Sequence, residues 1–279
     1  MGLRLVSYSM ATPQTRSGSG LGLAIATVVA VVAAVVFNTL SNRFPPGGQN
    51  VGQISNTILA GVLITPANYA FAIWGIIYLG LLAYAIYQFH PERRQEPQLQ
   101  RVNKLLIAAC VAQTIWIWLF SVQQFGWSIV AMLGILIPLI GIYLTLNIGL
   151  DRQQPTRGYR VSRLRRWMAH IPFSLYLSWI AVATIVNVAS ALYATNWGGW
   201  GISAVTWTVA MIVVAAVLAE VVIYQRGDVA FALVFVWALV AIAVRQSDIP
   251  AIRWMALIGA GVLVFWLLLV KRGWPKRLE

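Results

Sequence analysis

Stretches of about twenty largely apolar residues recur along this chain, and no other feature narrows its fold so far. A hydrocarbon layer roughly 30 Å thick is crossed by about 20 residues of helix, and a helix satisfies its own backbone hydrogen bonds where no water is present. Such stretches fall at residues 21–40, 66–88, 103–121, 127–149, 171–193, 200–224, 229–244 and 252–270. The seventh is the shortest, bounded by Asp228 and Arg245. Asp, Glu, Lys and Arg make up 10% of the 279 residues and hydrophobic residues 60%, too few charges to cover a water-facing surface. The expectation is an all-α, polytopic membrane helix bundle of about eight transmembrane helices.

Charge orients it. With eight spans, 17 of the 20 Lys and Arg residues fall in the two tails and in alternate loops or, for Lys104, within a turn of one, and the opposite side keeps Arg43, Arg245 and Arg253. Basic residues collect on the cytoplasmic side, and a missed or added span would scramble the alternation beyond it, so the bundle is N-in and C-in. Residues 1–20 and 271–279 become cytoplasmic tails, and the first apolar stretch, too long for the core of a signal peptide, is a retained span. The net charge of +13 then reflects orientation against an anionic leaflet and implies no nucleic acid. The run Arg157, Arg160, Arg163, Arg165 and Arg166 before the fifth span belongs to the same pattern. Cys110, the single cysteine, excludes a disulfide framework within one chain.

Polar and aromatic residues gather toward the outer side. The longest loop there, residues 41–65, opens on Phe44, Pro45, Pro46, Gly47 and Gly48 and then places Val51, Ile54, Ile58 and Val62 at helical spacing. An amphipathic helix over the outer end of the bundle is expected, either as a lid on a cavity or as an ordinary interfacial helix. Six of the thirteen tryptophans sit at span ends, where aromatic belts form. Trp74, Trp116, Trp118, Trp179, Trp207, Trp237 and Trp266 lie deeper, where an indole N–H needs a partner, and Asn38, Tyr78, Gln113, Asn147 and Asn187 are candidates. At about 1.5 Å per residue, Trp74 and Tyr78 lie roughly 12 and 18 Å below the outer end of span two, and Gln113, Trp116 and Trp118 roughly 5 to 15 Å below that of span three. A cluster under the long loop is geometrically allowed, either as a ligand site or as packing between helices. Its flat rings suit planar apolar molecules.

These residues also carry a resemblance. Residues 66–78, reading Pro-Ala-Asn-Tyr-Ala-Phe-Ala-Ile-Trp-Gly-Ile-Ile-Tyr, resemble the second-helix signature of the tryptophan-rich sensory protein family, also called the TspO/MBR or translocator protein family. Gln113 through Trp116 and residues 118–120 are similar to its third helix, and Pro172, Trp179, Ala183 and Asn187 follow its fifth-helix pattern. The likeness covers about residues 20–195, with Phe71 one place off the usual phenylalanine and Ala72 where short members have proline. The chain looks more like a longer bacterial branch.

The resemblance implies a five-helix bundle over residues 21–195, extended by a three-helix segment at residues 196–270. It implies a receptor or sensor that binds a flat hydrophobic molecule, a porphyrin or other tetrapyrrole, in an outer-facing pocket closed by the first loop. The ligand-binding residues expected from the resemblance and the depth reading together are Trp74, Tyr78, Gln113, Trp116, Trp118, Trp179, Asn187 and Asn38. The alternatives are a secondary transporter of a small hydrophobic molecule and a porphyrin-degrading enzyme; the binding reading asks for no catalytic residue. No cofactor is required beyond a bound tetrapyrrole. The expected partners are a porphyrin-like molecule and membrane lipids, with homodimerisation allowed, in a bacterial inner membrane. A match to the family's loose cholesterol-recognition pattern at Leu218, Tyr224 and Arg226 falls in span six rather than span five and is not carried over.

Other chemistry finds less support. His90 and His170 lie near cytoplasmic span ends, away from the outer cluster, and are poor candidates for a haem ligand. Glu220, the one acid placed within a span, lies within a turn or two of the cytoplasmic end, in reach of water or Arg226. Pro138 is expected to kink span four. Paired carboxylates, a Ser-His-Asp set and a Gly-rich phosphate loop are absent from the sequence.

Overall fold

Apolar segments that cannot face water form helices at each of the eight expected places. The computed structural model describes residues 20–150 and 161–271. Its helices are α1 (Leu21–Arg43), the short α2 (Val51–Asn56), α3 (Ile73–Gln88), α4 (Pro97–Ser121), α5 (Phe125–Thr145), α6 (Ile171–Ala194), α7 (Ala204–Arg226), α8 (Val229–Arg245) and α9 (Pro250–Lys271). A 3-10 turn at Asn68–Ala72 leads into α3, and a π-helical turn at Arg166–His170 leads into α6. Seven segments are long and apolar enough to cross a membrane, which makes this an integral membrane protein. The eighth, α8, has 17 residues, about 26 Å of helix. Residues 1–19 and 272–279 of the expected tails, with Arg157 and Arg160 of the basic run, lie outside the described residues.

Local chemistry sets the ends. Pro97 occupies the first turn of α4, where its missing N–H costs nothing, so this helix starts well before residue 103. The Ser203 hydroxyl accepts from Thr206 N at the start of α7, and Gly227 closes that helix in the left-handed region. Two expected ends shift because the backbone leaves helical space: α5 stops at Thr145, before Asn147 and Gly149, which have positive φ, and Trp200, also at positive φ, lies in a turn ahead of α7. Gly149 is required there, since a Cβ would stand 2.3 Å from the Arg226 carbonyl oxygen. Asn147 is exposed and does not serve a buried indole. Pro138 sits inside α5, which stays one helix through it.

Five helices close a ring: α1 packs on α3 and α4, α4 on α5, α5 on α6, and α6 returns to α3. Where α3 crosses α6, Gly80 lies against Pro172 so closely that a Cβ would stand 2.9 Å from the proline ring. Small residues permit such approaches in a bilayer, where lipid tails leave little hydrophobic drive between helices. Buried hydrogen bonds add to the packing at the end of the ring away from residues 41–65. Tyr84 OH donates to Asn103 Oδ1 at 2.7 Å, Asn103 Nδ2 to Gln88 Oε1 at 2.9 Å, and Gln88 Nε2 to the Ala24 carbonyl at 3.2 Å, which joins α3, α4 and α1.

The last three helices attach to this ring through α8, which packs on α6 and also meets α7 and α9. Its position explains how so short a helix suffices, because Phe231, Phe235, Ala238, Leu239 and Ile242 are all buried. Asp228 fastens its first turn: one carboxylate oxygen accepts from Ala230 N and Phe231 N, and the other from Tyr143 OH at 2.9 Å and Ser174 Oγ at 2.6 Å. A boundary residue in the sequence is therefore a buried link between α8 and the ring. On the same side Arg165 pairs with Glu96 at 2.8 Å, so one arginine of the basic run is held within the protein.

A lidded aromatic cavity

The segment between α1 and α3 folds back over the ring. Asn50 caps α2 reciprocally: its Oδ1 accepts from Gln53 N at 2.9 Å, and Gln53 Oε1 accepts from Asn50 N at 2.8 Å. The helix then stops at Asn56, so Val51, Ile54, Ile58 and Val62 do not form one stripe. Ile54, Leu59 and Val62 are buried, whereas Ile58 is 39% exposed, because the turn at Thr57 rotates Leu59 inward in its place. An isolated two-turn helix has little stability of its own and follows its packing. The preceding turn seats on α4, where Gly47 approaches Ser121 so closely that a Cβ would stand 1.9 Å from its carbonyl oxygen.

Helix α8 holds this lid. Arg245 Nη1 donates to Asn56 Oδ1 and Nη2 to the Ser55 carbonyl, both at 2.9 Å, which satisfies the C-terminal end of α2. Gln246 Nε2 donates to the Leu63 carbonyl at 2.8 Å, Trp237 Nε1 to the Ala70 carbonyl at 3.1 Å, and Ala67 N to the Ala241 carbonyl at 3.0 Å. Arg245 is one of the three basic residues expected on the outer side, and here it has a structural task. The sequence offered no task for the last three helices.

Under the lid lies a cavity of about 440 Å³. Its lower wall is aromatic, with Phe71, Trp74, Trp116, Phe120 and Trp179 among its lining residues. Its mouth is ringed by amides, among them Asn38, Asn42, Asn50, Asn56 and Asn68. Phe71 meets Trp179 edge to face at 6.0 Å, and Trp116 lies 5.3 Å from Phe120. Five of the eight expected site residues therefore line one space: Asn38, Trp74, Trp116, Trp179 and Asn187.

The other three stand elsewhere. Tyr78 and Gln113 lie behind the wall: Gln113 Nε2 donates to Tyr78 OH at 2.7 Å, Tyr176 OH donates to Gln113 Oε1, and Trp74 stacks on Tyr78 with centroids 5.3 Å apart. They support the surface that Trp74 presents without lining the cavity. Trp118 is half exposed on the outside of α4 and takes no part. Its exclusion follows from helix geometry, since residues two apart are rotated by about 200° and Trp116 and Trp118 cannot share a face. The same rule would have found Phe120, which follows Gln113 and Trp116 at the spacing of one face, and Phe71, three residues before Trp74.

Asn187 is the polar centre of the wall. It is 2% exposed, and its Oδ1 accepts from Trp116 Nε1 and from Ser128 Oγ, each at 3.1 Å. Asn187 Nδ2 and Ser121 Oγ, both on cavity-lining residues, have no hydrogen-bond partner among the described residues. A buried polar atom without a partner costs free energy, so the wall is poised to give a hydrogen bond. His90, His170 and Glu220 are absent from the lining.

The model of the family described as TSPO-like protein matches residues 24–269 of the chain. The match runs on past residue 195, where the likeness read from the sequence stops, and through α7, α8 and all but the end of α9. No curated protein and no solved structure matches.

Proposed function

Because the chain belongs to the TSPO-like protein family, whose members suggest a membrane sensor or transporter, we propose that it is a receptor for a flat hydrophobic ligand, a porphyrin or other tetrapyrrole, held in the lidded cavity. The observation that carries this reading is the make-up of the cavity. Its volume of about 440 Å³ falls in the roughly 300–1,000 Å³ range of small-molecule sites. Indole and phenyl rings offer stacking surfaces to a planar apolar body. The unpartnered Asn187 Nδ2 supplies a buried donor, and the amides of the mouth offer donors to polar groups at a ligand's outer edge. Binding of this kind needs no metal ligand and no cofactor besides the bound molecule. The reading places the protein in a bacterial inner membrane, among lipids, with homodimerisation allowed.

Titration of the purified protein with protoporphyrin tests it. Saturable binding, followed by porphyrin absorbance, is expected, and Trp74→Phe combined with Trp116→Phe should weaken it about tenfold, a loss of roughly 1.4 kcal/mol. An affinity unchanged in a double variant that unfolds at the wild-type temperature would remove the cavity from consideration.

A further inference from the structure

Beside the lidded cavity, a second space of about 550 Å³ opens between the outer ends of α6 and α7. These helices follow one another in sequence, and α8 packs on both. The resulting groove is apolar and aromatic, walled by Ala189 and Tyr193 of α6, Trp197 and Trp207 beside the turn into α7, and residues 61–64 of the lid segment. Its walls are built. Trp207 Nε1 donates to the Gly199 carbonyl at 3.0 Å, the Trp207 ring packs on Trp197 at 5.4 Å, and Gly61 sits so close to the Tyr193 ring that a Cβ would stand 2.6 Å from it.

Apolar side chains separate this groove from the cavity. Between them lies a void of about 20 Å³, too small for an organic molecule, whose lining includes Phe235, Ala238 and Leu239 of α8. It shares Val182 and Val186 with the cavity and Ile64 and Ile185 with the groove. The void therefore borders both spaces, and Val186, Ile185 and Ile64 are among the side chains that separate them. The two ends differ in chemistry. The lid side of the cavity is ringed by amides that suit water, whereas the groove presents rings and aliphatic groups on the flank of the bundle. A hydrophobic ligand partitions into the bilayer, so the groove meets it at a far higher concentration than the amide mouth does.

We propose that the groove between α6 and α7 is the membrane-side entrance to the cavity. A ligand dissolved in the outer half of the bilayer docks on Trp197, Trp207 and Tyr193, and it passes inward when Ile185, Ile64 and Val186 rotate aside. The proposal rests on the reading of the lidded cavity as the ligand site.

Stopped-flow transfer of protoporphyrin IX from liposomes to the reconstituted protein tests it. Ala189→Trp fills the groove and Ile185→Ala widens the constriction, and neither residue lines the cavity. Ala189→Trp should slow association and dissociation alike by about tenfold with Kd changed by less than about twofold, and Ile185→Ala should speed both. Asn56→Cys with Asn68→Cys, whose native side chains are hydrogen-bonded at 3.0 Å, ties the lid down when the two thiols are bridged by a short bifunctional thiol reagent. Association from liposomes should be as fast in the bridged as in the unbridged form of that variant. Rates indifferent to both groove variants, or association stopped by the bridge, would overturn the entrance while leaving a binding cavity. A wild-type protein that binds no protoporphyrin would instead overturn the cavity reading and the entrance with it.

Discussion

At Asn187 one amide meets two donors and keeps a third position open. Its Oδ1 accepts from Trp116 Nε1 and Ser128 Oγ, while Nδ2 has no partner among the described residues. Asn187→Leu removes the acceptor from both. Ser128 has an alternative in the Phe125 carbonyl, 2.7 Å away, so the cost should come mainly from the stranded indole, about 1–3 kcal/mol. Thermal unfolding in detergent should show that loss, and porphyrin affinity should fall with it. Trp118→Leu is the contrasting change, because its ring is half exposed on the outer face of α4. It should alter stability by less than about 0.5 kcal/mol and leave porphyrin affinity as it was. A Trp118→Leu effect as large as that of Asn187→Leu would mean that the cavity wall has been wrongly drawn.

Among the elements, α2 depends most on its neighbours. Six residues form too short a helix to persist alone, and its reciprocal cap at Asn50 secures one end while Arg245 of α8 secures the other. Hydrogen bonds from a charged donor contribute about 1.5–3 kcal/mol when buried and less when half exposed, as here. Arg245→Ala should therefore raise hydrogen exchange in residues 51–56 by about tenfold, near 1.4 kcal/mol, without unfolding the ring. Arg253→Ala, which removes an exposed outer arginine that stacks on Trp254, should leave that exchange unchanged. Equal effects from the two changes would show that α2 responds to outer charge in general rather than to the Arg245 contacts.

For the whole molecule, the attachment of α7, α8 and α9 ties the second half of the chain to the lid of the first. The five-helix ring closes without them, but Arg245, Gln246, Trp237 and Ala241 supply contacts that hold residues 55–70 in place. A chain split in the turn between α6 and α7 should still insert both parts, since each span satisfies its own backbone. Residues 1–202 alone should bind porphyrin more weakly than the Arg245→Ala variant, and co-expression with residues 203–279 should restore affinity. Full affinity in the first part alone would mean that the later helices do not support the site.

The sequence by itself determined the spans and the eight-helix bundle. Those follow from hydrophobic length, a property of local composition that a hydrocarbon solvent reads directly. Charge alternation supplies an expected orientation on the same local terms. Depth along single helices, together with the family resemblance, also pointed to Trp74, Trp116, Trp179 and Asn187, which line one cavity. Tertiary structure alone decided which face each residue joined and what met it across a helix boundary. It put Trp118 outside, set Tyr78 and Gln113 behind the wall, turned Ile58 outward, and made Asp228 and Arg245 links between distant segments. Pairings such as Arg245 with Asn56 join residues 189 apart in the chain, and no periodicity within one segment encodes which helix will lie beside another.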